Sequence, residues 1–93
     1  MPLTLEQSQA LITADCDAVK DLLLSKNRAY GNAALEPMRV FSKVGPAEQI
    51  AVRIDDKLSR IAHTGFETAD EDTVLDLIGY LHLLRIARKA TSV

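Results

Sequence analysis

A carboxylate inside an apolar helical run is the first chemical feature of the sequence. Asp76 stands between two leucines, and Asp72 lies one helical turn before it. A buried carboxylate without a partner costs several kcal/mol, so Asp76 should be paired, protonated or holding a cation. Two interpretations stay open: a salt bridge to a base of the preceding helix (Arg53, Lys57 or Arg60), or a role in binding a metal or ligand.

Basic and aromatic residues follow one another in a second stretch, where the first helix should end. Lys26, Asn27 and Arg28 precede Tyr30 and Gly31. Cationic side chains bind phosphate, and a tyrosine ring can stack on a nucleobase. The alternative is a helix C-terminus, where basic residues are favourable regardless of function and Gly31 ends the helix.

The elements that must position these residues are all helical. Apolar periodicity predicts helices over residues 4–27, 46–63 and 71–89, with one further helical turn in the 36–44 stretch. No convincing strand pattern is present. The sequence therefore predicts a compact all-α domain of three to four helices.

Local end signals support these boundaries. Thr4 with Gln7 matches a capping box, and Thr68 with Glu71 matches another before the third helix. Pro46 suits the first position of the second helix. These signals predict where each helix begins before any packing is considered.

Apolar stripes predict how the second and third helices pack. The second helix carries Ile54, Leu58 and Ile61, and the third carries Val74, Ile78 and Leu81. A short Gly-containing connection joins them, so antiparallel packing through these stripes is expected. The third helix is also apolar on its other side, which one short chain covers poorly, and this predicts a homo-oligomer.

Composition limits the classes of function. The 93 residues suit one domain, 1–93, and a net charge of −2 argues against a broad nucleic-acid surface. No apolar run approaches the roughly 20 residues of a membrane span. The single Cys16 cannot form an internal disulfide and fits a reducing compartment. A cytoplasmic location is therefore expected.

Three ordered motifs resemble a known family. They are the stretch from Lys26 to Gly31, the stretch from Val52 to Arg60, and the stretch from Glu71 to Leu81. Over residues 20–88 the chain resembles the nucleotide-modification-associated domain, a small all-helical family of phages and bacteria. The resemblance implies a link to nucleotide metabolism and no established reaction.

The same pattern is more distantly similar to the MazG-like NTP pyrophosphohydrolases, whose facing helices hold Mg²⁺ on a triphosphate through acidic residues. That resemblance implies Asp55, Asp72 and Asp76 as metal ligands. Together with the motif match, it implies nucleotide contacts from Lys26, Asn27, Tyr30, Arg53, Lys57 and Arg60. Thr73 and Ser59 stand where further acids would be expected, so the acidic pattern is incomplete.

Two classes of function follow. The first is Mg²⁺-dependent cleavage of a nucleoside triphosphate to monophosphate and pyrophosphate, with no catalytic residue assigned. The second is a non-catalytic module that binds or sequesters a nucleotide, or docks a protein partner. The incomplete acidic pattern favours the second class.

Overall fold

The computed structural model describes residues 2–91, and in this range the chain forms three helices and no strand. The helices are α1 (Leu5–Tyr30), α2 (Pro46–Thr64) and α3 (Glu71–Thr91). The all-α prediction is confirmed. None of the three combines the length and the apolar character that a bilayer crossing demands.

α1 begins and ends at its predicted signals. The Thr4 hydroxyl accepts a hydrogen bond from the Gln7 backbone N–H (3.0 Å), and the Gln7 side chain accepts one from the Thr4 backbone N–H (2.9 Å). At the other end Gly31 adopts φ 61° and ψ 44°, a left-handed conformation that a residue without Cβ reaches easily. The helix therefore continues to Tyr30, beyond the predicted end at residue 27.

α2 and α3 form an antiparallel hairpin across the short link of residues 65–70. Ile50, near the start of α2, shares a cleft with Leu83, near the end of α3. Lys57 and Asp76 meet nearer the link. Pro46 occupies the first turn of α2, as predicted, where its missing N–H would have no partner in any case.

The start of α3 differs from the predicted capping box. The Asp70 carboxylate accepts a hydrogen bond from the Thr73 backbone N–H at 2.7 Å, and α3 begins at the next residue, Glu71. The Thr68 hydroxyl instead donates to the backbone carbonyls of Thr64 and Gly65 and so closes the end of α2. The Asp70 carboxylate also interacts favourably with the positive end of the α3 dipole. The predicted capping box of Thr68 and Glu71 is therefore wrong.

α1 packs on the hairpin through its C-terminal half. A Cβ placed on Gly79 of α3 would lie 3.2 Å from Cδ2 of Leu23, so glycine permits this close approach. Val19 is buried at the same contact face of α1. Residues 5–18 are exposed apart from half-buried Ser8, so the N-terminal half of α1 extends without burying a side chain in the described structure.

The predicted helical turn within residues 36–44 is absent. Residues 31–35 form turns, and the chain then runs irregularly to Gly45. Arg39 has φ 59°, which a right-handed helix does not contain. Met38 and Phe41 are 88% and 98% exposed, so no apolar contact stabilises a helical turn here.

The predicted packing stripes are only partly right. Ile54, Ile61 and Ile78 are half-buried, but Leu58, Val74 and Leu81 are exposed. α2 instead presents the tighter row of Ile50, Ile54, Lys57 and Ile61, and α3 presents the face that carries Thr73, Asp76 and Ala87. Both helices are thus rotated so that a charged side chain from each lies at their interface.

Candidate functional site

Asp76 joins all three helices through two ammonium groups. Its Oδ1 lies 3.2 Å from Nζ of Lys26 in α1, and its Oδ2 lies 3.3 Å from Nζ of Lys57 in α2. The Lys57 side chain is 11% exposed, whereas that of Lys26 is 49% exposed. The predicted salt bridge between Asp76 and α2 is confirmed with Lys57, and Lys26 is an additional partner.

The two ion pairs with lysine determine the protonation state of Asp76. Partial burial of the carboxyl raises its pKa, but the hydrogen bonds and charges of Lys26 and Lys57 together outweigh burial, and the pKa falls below its ordinary value of 3.8. The pKa of Asp70 is also lowered, mainly because its carboxylate accepts the Thr73 backbone N–H at the start of α3. Asp76 is therefore ionised at neutral pH and holds both lysines.

Stability should depend on pH through Asp76. The pKa of Asp76 is lower in the folded chain than in the unfolded chain. Its contribution to the free energy of unfolding is therefore complete above about pH 5, and it disappears as the pH falls through the folded-state pKa, which lies below 3.8. Urea unfolding of wild type and Asp76→Asn across pH 2.5–7 (roughly from below the ordinary Asp pKa to neutrality) measures this. The difference in unfolding free energy should shrink steadily on the acid side. A difference that stays constant with pH would contradict the assignment.

An open cleft of about 570 Å³ lies beside this ion-paired group, and residues of α1, α2 and α3 line it; we name it the three-helix cleft. Its aliphatic lining comes mainly from leucine and alanine side chains. Its polar and aromatic lining consists of Lys26, Asn27, Tyr30, Gln49, Arg53, Asp76 and Tyr80. The cleft therefore combines charge, aromatic rings and amide groups on one concave surface.

The three-helix cleft is positively charged although the chain is acidic. Lys26 and Arg53 line it with Asp76 as the one lining carboxylate, and Lys57 lies behind Asp76. The two lining cations and the one lining carboxylate leave a local charge of +1, whereas the whole chain carries −2. Arg53 has no ion pair among residues 2–91, so its guanidinium remains available to an anion.

The structure brings together most of the predicted ligand-binding residues. The three-helix cleft is lined by Lys26, Asn27, Tyr30 and Arg53. Lys57 does not line it but forms an ion pair with Asp76, which does. Arg60 lies elsewhere: it pairs with Asp56 at 3.4 Å and lines a separate cavity of about 350 Å³ near the 65–70 link. The predicted ligand-binding residues other than Arg60 therefore lie together at the three-helix cleft.

The three predicted metal ligands do not come together. Asp55 and Asp72 are exposed and line neither cavity, while both oxygens of Asp76 already contact lysine ammonium groups. Across residues 2–91, no three His, Cys, Asp or Glu side chains form a group that could hold a metal. Asp55 stands two residues before Lys57, roughly 200° around α2, and so points away from the hairpin interface. This donor set does not fit a metal held by the protein alone.

Two polar or aromatic residues of the cleft lining were not among the predicted site residues. Tyr80 lies four residues after Asp76, and Gln49 lies four residues before Arg53. Residues four apart share a helix face, so this spacing was an available signal for both. The Gln49 side-chain amide donates to the Val44 carbonyl at 3.0 Å, which ties the connecting segment to the start of α2.

Comparison of the chain with protein-family models, with curated proteins and with solved structures found no match. Functional inference therefore depends on the chemistry of the three-helix cleft and on the surface around it.

Proposed function

We propose that this domain binds a nucleoside phosphate in the three-helix cleft. The observation that carries the proposal is the cleft lining, where cationic, aromatic and amide side chains from three helices surround one opening. Its volume of about 570 Å³ lies in the range of roughly 300–1,000 Å³ that is usual for ligand sites. A nucleotide presents matching chemistry, because it joins anionic phosphates to a flat base with hydrogen-bonding edges.

The phosphate end is assigned to Arg53 and Lys26. Arg53 is exposed and unpaired in the described structure, and its planar guanidinium can donate two parallel hydrogen bonds to phosphate oxygens. Lys26 is half-exposed and can turn from Asp76 toward a phosphate, while Lys57 keeps the Asp76 carboxylate paired. The local positive charge favours the anion before any direct contact forms.

The base end is assigned to Tyr30 and Tyr80. Tyr30 is 72% exposed at the end of α1, so its ring is free to stack, and Tyr80 is half-buried in α3. The side-chain NH2 of Asn27 donates a hydrogen bond to the side-chain oxygen of Asn32 at 3.0 Å. The side-chain oxygen of Asn27 remains available as an acceptor. Amide groups of this kind recognise the edge of a base.

We propose that Mg²⁺ binds only together with the nucleotide, as the counter-ion of its phosphates. Asp76 is the one carboxylate in the cleft lining, and both of its oxygens contact lysine. Mg²⁺ keeps several waters and is often held by phosphate oxygens together with one or two carboxylates. We therefore expect the protein to hold the nucleotide through cations rather than through a resident metal.

Within this proposal the domain is a nucleotide-binding or nucleotide-sequestering module of a phage or bacterial cytoplasm. Its resemblance to the MazG-like enzymes extends the proposal to pyrophosphohydrolysis, but no contact described above assigns a group to activate water. We also propose that the domain acts as a homo-oligomer. A protein-docking role is the second candidate, because large apolar side chains such as Met38, Phe41 and Phe66 are more than 85% exposed.

Titration calorimetry with a panel of ribo- and deoxyribonucleotides tests the proposal. Mono-, di- and triphosphates are compared, with and without Mg²⁺, beside the matching nucleosides and inorganic triphosphate. Nucleotides should bind more tightly than either fragment alone, because phosphate and base contacts add within one cleft. Absence of heat with every nucleotide at millimolar concentration would contradict the proposal, and release of pyrophosphate would add a reaction to it.

A further inference from the structure

The chain exposes far more surface than a compact monomer of its mass. Its accessible surface is 7444 Å², whereas a folded 10.2 kDa monomer exposes roughly 5,300 Å². Its radius of gyration is 15.6 Å, against about 12 Å expected for 93 residues. The surplus of about 2,100 Å² is comparable with what one subunit buries in an obligate dimer, about 1,000–2,500 Å².

One row of α1 carries apolar side chains along most of the length of the helix. Leu5, Ile12, Cys16, Val19 and Leu23 follow one another at spacings of seven, four, three and four residues, and we name this row the α1 seam. Such spacing places side chains on one narrow helix face and is typical of helices that pair with another helix.

The two halves of the α1 seam have different environments. Val19 is buried and Leu23 contacts Gly79 of α3, so the C-terminal half is covered within the chain. Leu5 and Ile12 are 74% and 62% exposed, and Cys16 is exposed as well. The same face therefore continues past the hairpin with nothing packed on it in the described structure.

The uncovered half of α1 also lacks the support that a helix needs. Residues 5–18 bury no side chain. The packed C-terminal half already nucleates α1, but most helix stability in proteins comes from packing of an apolar face, which residues 5–18 lack in the described structure. The capping box at Thr4 and Gln7 contributes too little to replace that packing. A partner packed on this face would therefore stabilise the segment.

We propose that a second copy of this chain covers the N-terminal half of the α1 seam, giving a two-fold symmetric homodimer. Another copy of the chain is present wherever the chain is made, and it carries the same apolar row. A two-fold axis places the same apolar row on both sides of the interface, so the seam is self-complementary. The surplus surface of each copy is large enough for an obligate interface of this kind.

Light scattering coupled to size exclusion tests the proposal with three lysine variants. Wild type should elute as a dimer of about twice 10.2 kDa. Ile12→Lys places a charge in the seam and should weaken self-association by about thirtyfold or more, as truncation of an interface hot spot does. Leu24→Lys is the matched control, because Leu24 is 50% exposed on the same helix but about 120° from Ile12. It should remain dimeric.

Leu81→Lys tests the competing surface on α3, where Leu81 is 46% exposed. A monomeric wild type, or dissociation by Leu81→Lys with Ile12→Lys unaffected, would overturn the proposal. A protein of a different kind covering the seam would appear as a monomeric wild type. Maleimide labelling of Cys16, the only cysteine, gives a second measurement on unmodified protein: labelling should slow as protein concentration rises. A rate independent of concentration would overturn it as well.

Discussion

Replacing Asp76 with alanine is expected to lower the free energy of unfolding by about 3 kcal/mol. The substitution leaves the ammonium group of Lys57, whose side chain is 11% exposed, without its carboxylate at the α2–α3 interface. Lys26 can turn into solvent, so the loss arises mainly from the unpaired Lys57. Urea denaturation at neutral pH followed by circular dichroism gives the value.

Two further variants separate the free-energy cost of losing the ion pair from the cost of leaving the Lys57 cation buried without a partner. Lys57→Met should cost clearly less than Asp76→Ala, because Asp76 then keeps Lys26 and no unpaired charge is buried. Asp76→Leu combined with Lys57→Met should lie near wild type, since apolar replacements of a buried ion pair are often neutral. An unfolding midpoint that Asp76→Ala leaves unchanged would show that the carboxylate does not hold the helices together.

Replacing Arg53 with glutamine should weaken nucleotide binding by about tenfold to a hundredfold. A hydrogen bond to a charged group contributes about 1.5–3 kcal/mol, and each 1.4 kcal/mol corresponds to a factor of ten in affinity. Arg53 is exposed at the cleft wall and has no ion pair to lose in the described range, so the fold should be unaffected. Calorimetric titration with the tightest nucleotide of the panel measures the change.

Arg85→Gln is the matched control for this experiment. Arg85 is exposed on α3, does not line the three-helix cleft, and its replacement changes the net charge of the chain by the same amount. Equal losses in the two variants would mean that overall charge, and not a contact at the cleft, governs binding. No loss in Arg53→Gln would place the phosphate elsewhere.

The helices were predictable because their end signals are local. The capping box at Thr4, the break at Gly31 and the proline at position 46 each act within a few residues of the helix end that they determine. The grouping of Lys26 and Tyr30 with residues of α2 and α3 was also anticipated, from motifs that occur in a fixed order along the chain.

The rotation of the helices was not predictable from local pattern. The expected stripe of Val74, Ile78 and Leu81 is wholly apolar, yet two of its three residues are exposed. The close approach of Leu23 to Gly79 and the ion pair of Lys57 with Asp76 are consistent with a different rotation, and both join residues far apart in the chain. The same rotation leaves Arg60 outside the cleft and separates Asp55 from Asp76.

The two connections of unequal length have a consequence for the order of folding. The α2–α3 hairpin closes over the short link 65–70, whereas α1 joins it across residues 31–45, and closing the longer loop costs roughly 1 kcal/mol more in chain entropy. The hairpin should therefore form early, as local contacts generally do, and α1 should dock afterwards. In the proposed homodimer a second copy covers the first turns of α1, so the final phase of refolding should be second order in protein concentration.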